Sequence, residues 1–156
     1  MKIKHFIAAI ITITISLPAL AQNKKADSLK LVTVFKELLS ICKNVDFADP
    51  KVKDSGTFYK AAPYIIYRGD DKQRAWKDFA NYNDPQEKKG VDMVCYRINN
   101  SINQDSSYHI EKYFTEKQSE GVWHVLMITY KKRGVDKKLA FAFLKLKNRF
   151  GLGDID

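Results

Sequence analysis

The sequence predicts an α+β domain: a curved antiparallel sheet of three long C-terminal strands plus short ones, packed against two to four helices. Three observations carry this. An amphipathic helical pattern runs from Ser28 to Asn44, and a capped helix opens at Asp84. After Ser106 the apolar period changes from 3.6 to 2. Helices followed by an antiparallel meander give an α+β layout with the helices gathered on one face of the sheet.

The extreme N-terminus precedes this domain. Lys2, Lys4 and His5 form a positive segment, Phe6 to Leu17 is apolar, and Pro18-Ala19-Leu20-Ala21 ends in an A-x-A pattern. That is the build of a secretory signal peptide cleaved after Ala21. The apolar run is shorter than the roughly 20 residues a spanning helix needs. No cysteine stands beside the cleavage site to carry a lipid anchor. The expectation is residues 1–21 as signal peptide, residues 22–156 as one exported domain, in the periplasm or secreted, with no stable membrane insertion after cleavage.

Within the domain, Val32, Phe35, Leu39 and Cys42 recur at helical spacing, Leu31 and Leu38 widen the stripe, and Asp27 or Ser28 is placed to cap it. Pro50 breaks the pattern, leaving room for a short helix before Pro63. Tyr64-Ile65-Ile66-Tyr67 suits a short strand. Arg68-Gly69-Asp70 then reads as the turn leaving that strand rather than as an adhesion motif. Asp70 or Asp71 caps a helical stretch from Lys72 to Ala80. Asp84-Pro85-Gln86-Glu87 supplies a cap, a proline at the first helical position and a glutamate three after the cap. Val91, Val94, Cys95, Ile98 and Ile102 follow on one face. Tyr108–Lys117, Val122–Lys132 and Lys138–Lys147 read as long strands, and Phe150–Asp156 as a short last one.

Composition excludes several functions. The chain carries 27 Lys and Arg against 18 Asp and Glu, net +9. A basic balance raises nucleic acid as a partner, but export and the scatter of the lysines argue against it. Attraction to anionic envelope polymers remains as a weak mode. Neither zinc-type Cys/His spacing nor a P-loop, a dinucleotide fingerprint or a G-x-S-x-G elbow occurs. No metal and no cofactor is therefore expected. Cys42 and Cys95 are a disulfide candidate in an oxidising compartment, and equally suit two small buried apolar positions.

The layout resembles the nuclear-transport-factor-2-like superfamily, which includes ketosteroid-isomerase-like and polyketide-cyclase-like proteins. The resemblance covers roughly residues 26 to 156. It rests on the N-terminal helix, YIIYRG leading into RAWKDF, the NDPQE-capped helix and the closing LAFAFLKLKNRFGLGDID. It implies a cone-shaped fold but no activity, because such folds host isomerases, dehydratases and pure binding modules alike. No catalytic residue of the family maps onto this sequence.

Strand alternation proposes where a site would lie. Pairing Lys117 with Val122 and Lys132 with Lys137 puts His109, Glu111, Tyr113 and Thr115 on one face with His124, Leu126, Ile128, Tyr130, Phe141, Phe143 and Lys145. The opposite face collects Ile110, Phe114, Trp123, Val125, Met127, Ala140, Ala142, Leu144 and Leu146, and is the expected helix-side core. The mixed face suits solvent, a homodimer interface or an apolar pocket with a few polar groups. The leading expectation is a non-enzymatic envelope module that binds a small apolar ligand or an envelope protein. The rival is a cofactor-independent isomerase or lyase on a small apolar substrate. His109 or Glu111 would be its base and Tyr113 or Tyr130 its proton donor. A one-residue shift in a hairpin reverses these faces.

Overall fold

A computed structural model describes residues 6–43, 57–67, 78–102 and 107–156. Its elements are helix α1 (Phe6–Lys43), a 3-10 helix (Thr57–Tyr64), strands β1 (Ile66–Tyr67) and β2 (Asp78–Phe79), helix α2 (Pro85–Ser101), and strands β3 (Tyr108–Gln118), β4 (Gly121–Lys132), β5 (Val135–Leu146) and β6 (Arg149–Ile155). The chain divides into two compact units, Met1–Thr33 and Val34–Asp156. Within the first unit, Ser28 is not a cap. Its hydroxyl donates back to the carbonyl of Lys25, 2.8 Å away, and the helix runs on in both directions. Helix formation through Asp27 and Ser28 is cooperative once a turn exists on either side, which overrides a local capping preference.

The second unit holds the sheet. Strands β3-β4-β5-β6 form one curved antiparallel meander, and β1-β2 form a separate two-stranded ribbon. Two helices and a 3-10 turn accompany them, which is the α+β layout. Asp78 and Phe79, expected in a helix, are strand residues paired with Tyr67 and Ile66. The ribbon is held further by Ala80 N–H donating to Ile65 O at 2.9 Å. The remainder of that expected helix, and the Arg68-Gly69-Asp70 turn, lie outside the described residues.

Cap chemistry explains α2. Asp84 Oδ1 accepts from the N–H groups of Gln86 and Glu87 at 2.9 and 3.0 Å, so two otherwise orphaned donors are satisfied. Pro85 costs nothing at a position with no intrahelical donor bond. Glu87 does not close a reciprocal box on Asp84. Its Oε2 accepts from Asn81 N–H at 2.6 Å, fixing the approach to the helix instead. Val91, Cys95, Ile98 and Ile102 are buried. At the other end of α1, Asn99 Nδ2 of α2 donates to the carbonyls of Cys42 and Lys43 at 3.0 and 3.1 Å. A side chain of one helix thus terminates the other.

The core lies on the opposite sheet face from the one expected. Leu126, Ile128, Phe141 and Phe143 are fully buried, and Phe35 of α1 meets Phe141 and Tyr108 edge to face at 4.9 and 5.8 Å. The mixed face, expected to meet solvent or a second copy, is the one that takes the helix. The reason is its bulk. Aromatic side chains gain most from burial, and the polar tip that argued against burial, His124, is satisfied by Tyr113. The face with the alanines is covered over part of its area. Ile66 packs on Trp123 and Leu144 there, with Ala142 and Leu146 beside them.

Candidate functional site

Register decides where the sequence-predicted residues stand. The β3-β4 turn pairs Lys117 with Val122 as expected, and the match holds back to Lys112↔Met127. A bulge at Glu111 then shifts the register, so that Ile110 faces Ile128, His109 faces Thr129 and Tyr108 faces Tyr130. An extra residue moves everything before it to the other side of the sheet. His109 and Glu111 therefore leave the face they were expected to share with Tyr113. Both are exposed. Glu111 is held by Lys138 Nζ at 2.7 Å and by the Thr129 hydroxyl at 2.9 Å. Those two bonds hold its carboxyl below the usual range, the Lys138 bond contributing most. The β4-β5 connection is tighter than the four residues expected. Arg133 and Gly134 form a two-residue turn, both with positive φ, and Lys132 pairs with Val135. A slip of two residues keeps every side chain on its face.

Tyr113 stays on the buried face, where its Oη and His124 Nδ1 are 2.7 Å apart, a hydrogen bond whose donor is set by the imidazole tautomer. Phe150 meets the His124 ring edge-on at 4.9 Å. Tyr130 is buried on the same face. The structure brings Tyr113 to His124, a residue sequence reasoning placed on that face but did not single out. It does not bring His109 or Glu111 to them.

Cys42 and Cys95 are brought together. Their Cα atoms are 4.8 Å apart, with the sulfur atoms in bonding contact and both residues fully buried. That Cα separation is within the range a disulfide spans.

A cleft lies elsewhere, between α2 and the last strand. Its volume is about 560 Å³, within the size of ordinary small-ligand sites. One wall is a single face of α2, including Glu87, Gly90, Val91, Val94 and Arg97. The other is Ile65 to Tyr67 and Leu152 to Ile155. Local chemistry builds both. The β6 wall follows β5 through a bulge between Ala142 and Phe143, and an isolated parallel bridge from Ile65 to Leu152 sets the segment leading into β1 beside β6. At Gly90 an added Cβ would meet nothing within 4 Å, so the helix leaves open space over its middle turn. None of His109, Glu111, Tyr113 and Tyr130 is among the lining residues. Sequence reasoning missed this site. Its available signal was Gly90, a helix-weakening residue in the middle of a well-patterned helix.

Beside the cleft-bearing face, Tyr82 donates its hydroxyl to Asp92 Oδ1 at 2.7 Å. Burial, then that bond, raise the Tyr82 phenol far above its ordinary value. This tyrosine is a neutral donor at any physiological pH and anchors the segment that leads into α2.

Among solved structures, the chain is similar to the phospholipid-binding protein from Ralstonia solanacearum, determined in complex with a phospholipid. The two share 12% sequence identity over 82% of this chain and 75% of that one, with a TM-score of 0.43. Neither a residue role nor a ligand passes from it to this chain. No model of a known protein family matches the sequence, and no curated protein does. The nuclear-transport-factor-2-like resemblance thus rests on layout. No helix among the described residues is long and apolar enough to cross a membrane. No group of His, Cys, Asp and Glu among them is arranged to hold a metal ion.

Proposed function

We propose that the chain is an exported binding module that holds a small, mainly apolar ligand in the cleft between α2 and β6. The observation that carries this is the cleft itself: about 560 Å³, walled by Ile65, Val91, Val94, Leu152 and Ile155, with Gln86, Glu87, Arg97 and Asp154 supplying its polar groups. That is the composition by which small-molecule sites gain affinity from burial and orientation from a few polar contacts. The scaffold is a nuclear-transport-factor-2-like arrangement of helices on a curved meander. Export is supported by the signal-type N-terminus and by the paired positions of Cys42 and Cys95, which suit an oxidising compartment. Edman sequencing of the exported protein should then begin at Gln22.

Titration with the neutral fluorescent probe Nile red tests the binding reading. Saturable binding is expected in the wild type. Gly90→Phe projects a ring into the cleft from a position where an added Cβ meets nothing within 4 Å, so it should abolish probe binding while circular dichroism and melting stay native. Absence of saturable binding, or unchanged binding in Gly90→Phe, sinks the proposal. The rival isomerase or lyase reading has one contact on its side, the Tyr113–His124 hydrogen bond. It requires substrate to reach that pair, and predicts turnover that Tyr113→Phe destroys.

A further inference from the structure

The charges that line the cleft are not equivalent. Glu87 and Arg97 stand ten residues apart on one face of α2, which separates them by about 15 Å along the helix axis. Between them the wall is Gly90, Val91 and Val94, with Leu152 and Ile155 opposite. Each of the two lining carboxylates already accepts a backbone N–H. Glu87 Oε2 accepts from Asn81 N–H at 2.6 Å and sits in the first turn of α2, where the helix end favours negative charge. Asp154 Oδ1 accepts from Ile155 N–H at 2.9 Å. Arg97, in contrast, is exposed, is the sole cation among the described lining residues, and pairs with no carboxylate among them. A guanidinium presents a planar fork of donors that matches carboxylate and phosphate oxygens.

From this we infer that the ligand is an elongated single-chain amphiphile with an anionic end group. Its acid is paired by Arg97, and its chain crosses α2 over Gly90 toward the Glu87 end. This rests on the cleft being the binding site. Carboxylate and phosphate monoester share the recognising chemistry, since each presents oxygens to the fork. The Glu87 end disfavours reversed entry, because an anion there would meet an existing carboxylate. Arg97 therefore acts as an orienting residue as well as a source of affinity.

The test is displacement of Nile red from the full exported protein by four probes of equal chain length: hexadecanoate, hexadecyl phosphate, hexadecanol and hexadecylamine, all below their aggregation concentrations. The two anions should compete at roughly tenfold lower concentration than the alcohol, the low end of what a charge-assisted hydrogen bond gives at an open site. The amine should be the weakest. Raising the salt concentration should narrow the gap between the anions and the alcohol. Arg97→Gln should erase the advantage of the anions and leave hexadecanol unchanged, which also shows that the variant is folded. A lead of one anion over the other identifies the head group within the proposal. If hexadecanol competes as well as the anions, if the amine is best, or if Arg97→Gln keeps the anion advantage, the anionic-end proposal is overturned while the cleft reading stands. If Nile red binds but none of the four displaces it, the amphiphile proposal falls. If Nile red itself does not bind saturably, the cleft reading falls with it.

Discussion

A Cβ built on Gly151 would stand 2.6 Å from Ile66 Cγ1 and 2.8 Å from Phe79 Cε1. Here the missing side chain lets the β1-β2 ribbon lie directly on β6, whereas at Gly90 it leaves space unfilled. Arg149 reinforces the same contact, with its guanidinium 4.5 Å from the Phe79 ring centroid and a bond to Pro63 O at 2.9 Å. Gly151→Ala should therefore destabilise by about 1–3 kcal/mol, the range for overpacking a close contact. Urea unfolding checks it, and an unchanged midpoint refutes it. Glu111 sets a second expectation at this scale. Its folded pKa lies below the unfolded 4.5, principally through the Lys138 hydrogen bond. Its contribution is thus present above about that pH and is lost as pH falls through the lowered folded value. Glu111→Gln should cost stability at pH 7 and progressively less toward pH 3. A difference that widens on acidification would contradict the assignment.

At the scale of elements, α2 depends on its N-cap. Asp84→Ala leaves the Gln86 and Glu87 amides without their acceptor, and should lower stability by about 1 kcal/mol. Asp84→Ser should restore most of it, which separates capping from a nonspecific charge effect. That helix was readable in advance because its cap, proline and glutamate are local features acting within four residues. The β3-β4 turn was readable for the same reason. The β4-β5 turn was misjudged by two residues, harmlessly, since alternation has a period of two. The bulge at Glu111 was not foreseen, and it alone dismantled the expected grouping of His109 and Glu111 with Tyr113. Its trace in the sequence is slight: the core-facing side chains of β3 are at even positions, Tyr108 and Ile110, before it, and at odd positions from Tyr113 onward. The core face was inverted because the alanines of the opposite face read as room for a helix, and because His109 and Glu111, which the bulge moves off it, made the mixed face read as wet together with His124. Its partner tyrosine lies eleven residues away, across a hairpin. The cleft was illegible because its walls, α2 and β6, meet only through tertiary packing.

For the molecule as a whole, the Cys42–Cys95 contact ties together residues 53 apart in sequence. If the bond forms on export, protein from an oxidising compartment should lose two mass units relative to the reduced chain. Reduction should then lower stability by about 2–5 kcal/mol. Equal stability with and without reductant would show that the pair acts only as two packed thiols. The helices are further coupled by Asn99, whose amide closes the end of α1. The meander has a different character. Each of its strands pairs with its neighbour in sequence, across turns of a few residues, so each ladder forms after closing only a short loop. The cleft and the helix pair instead require segments remote in the chain to meet, at a larger entropic cost. That asymmetry predicts that the ladders of the meander form before α2 docks against β6, an order that φ-values measured in β4 and in α2 would check. On that order, a ligand present during folding would be enclosed only when α2 docks against β6.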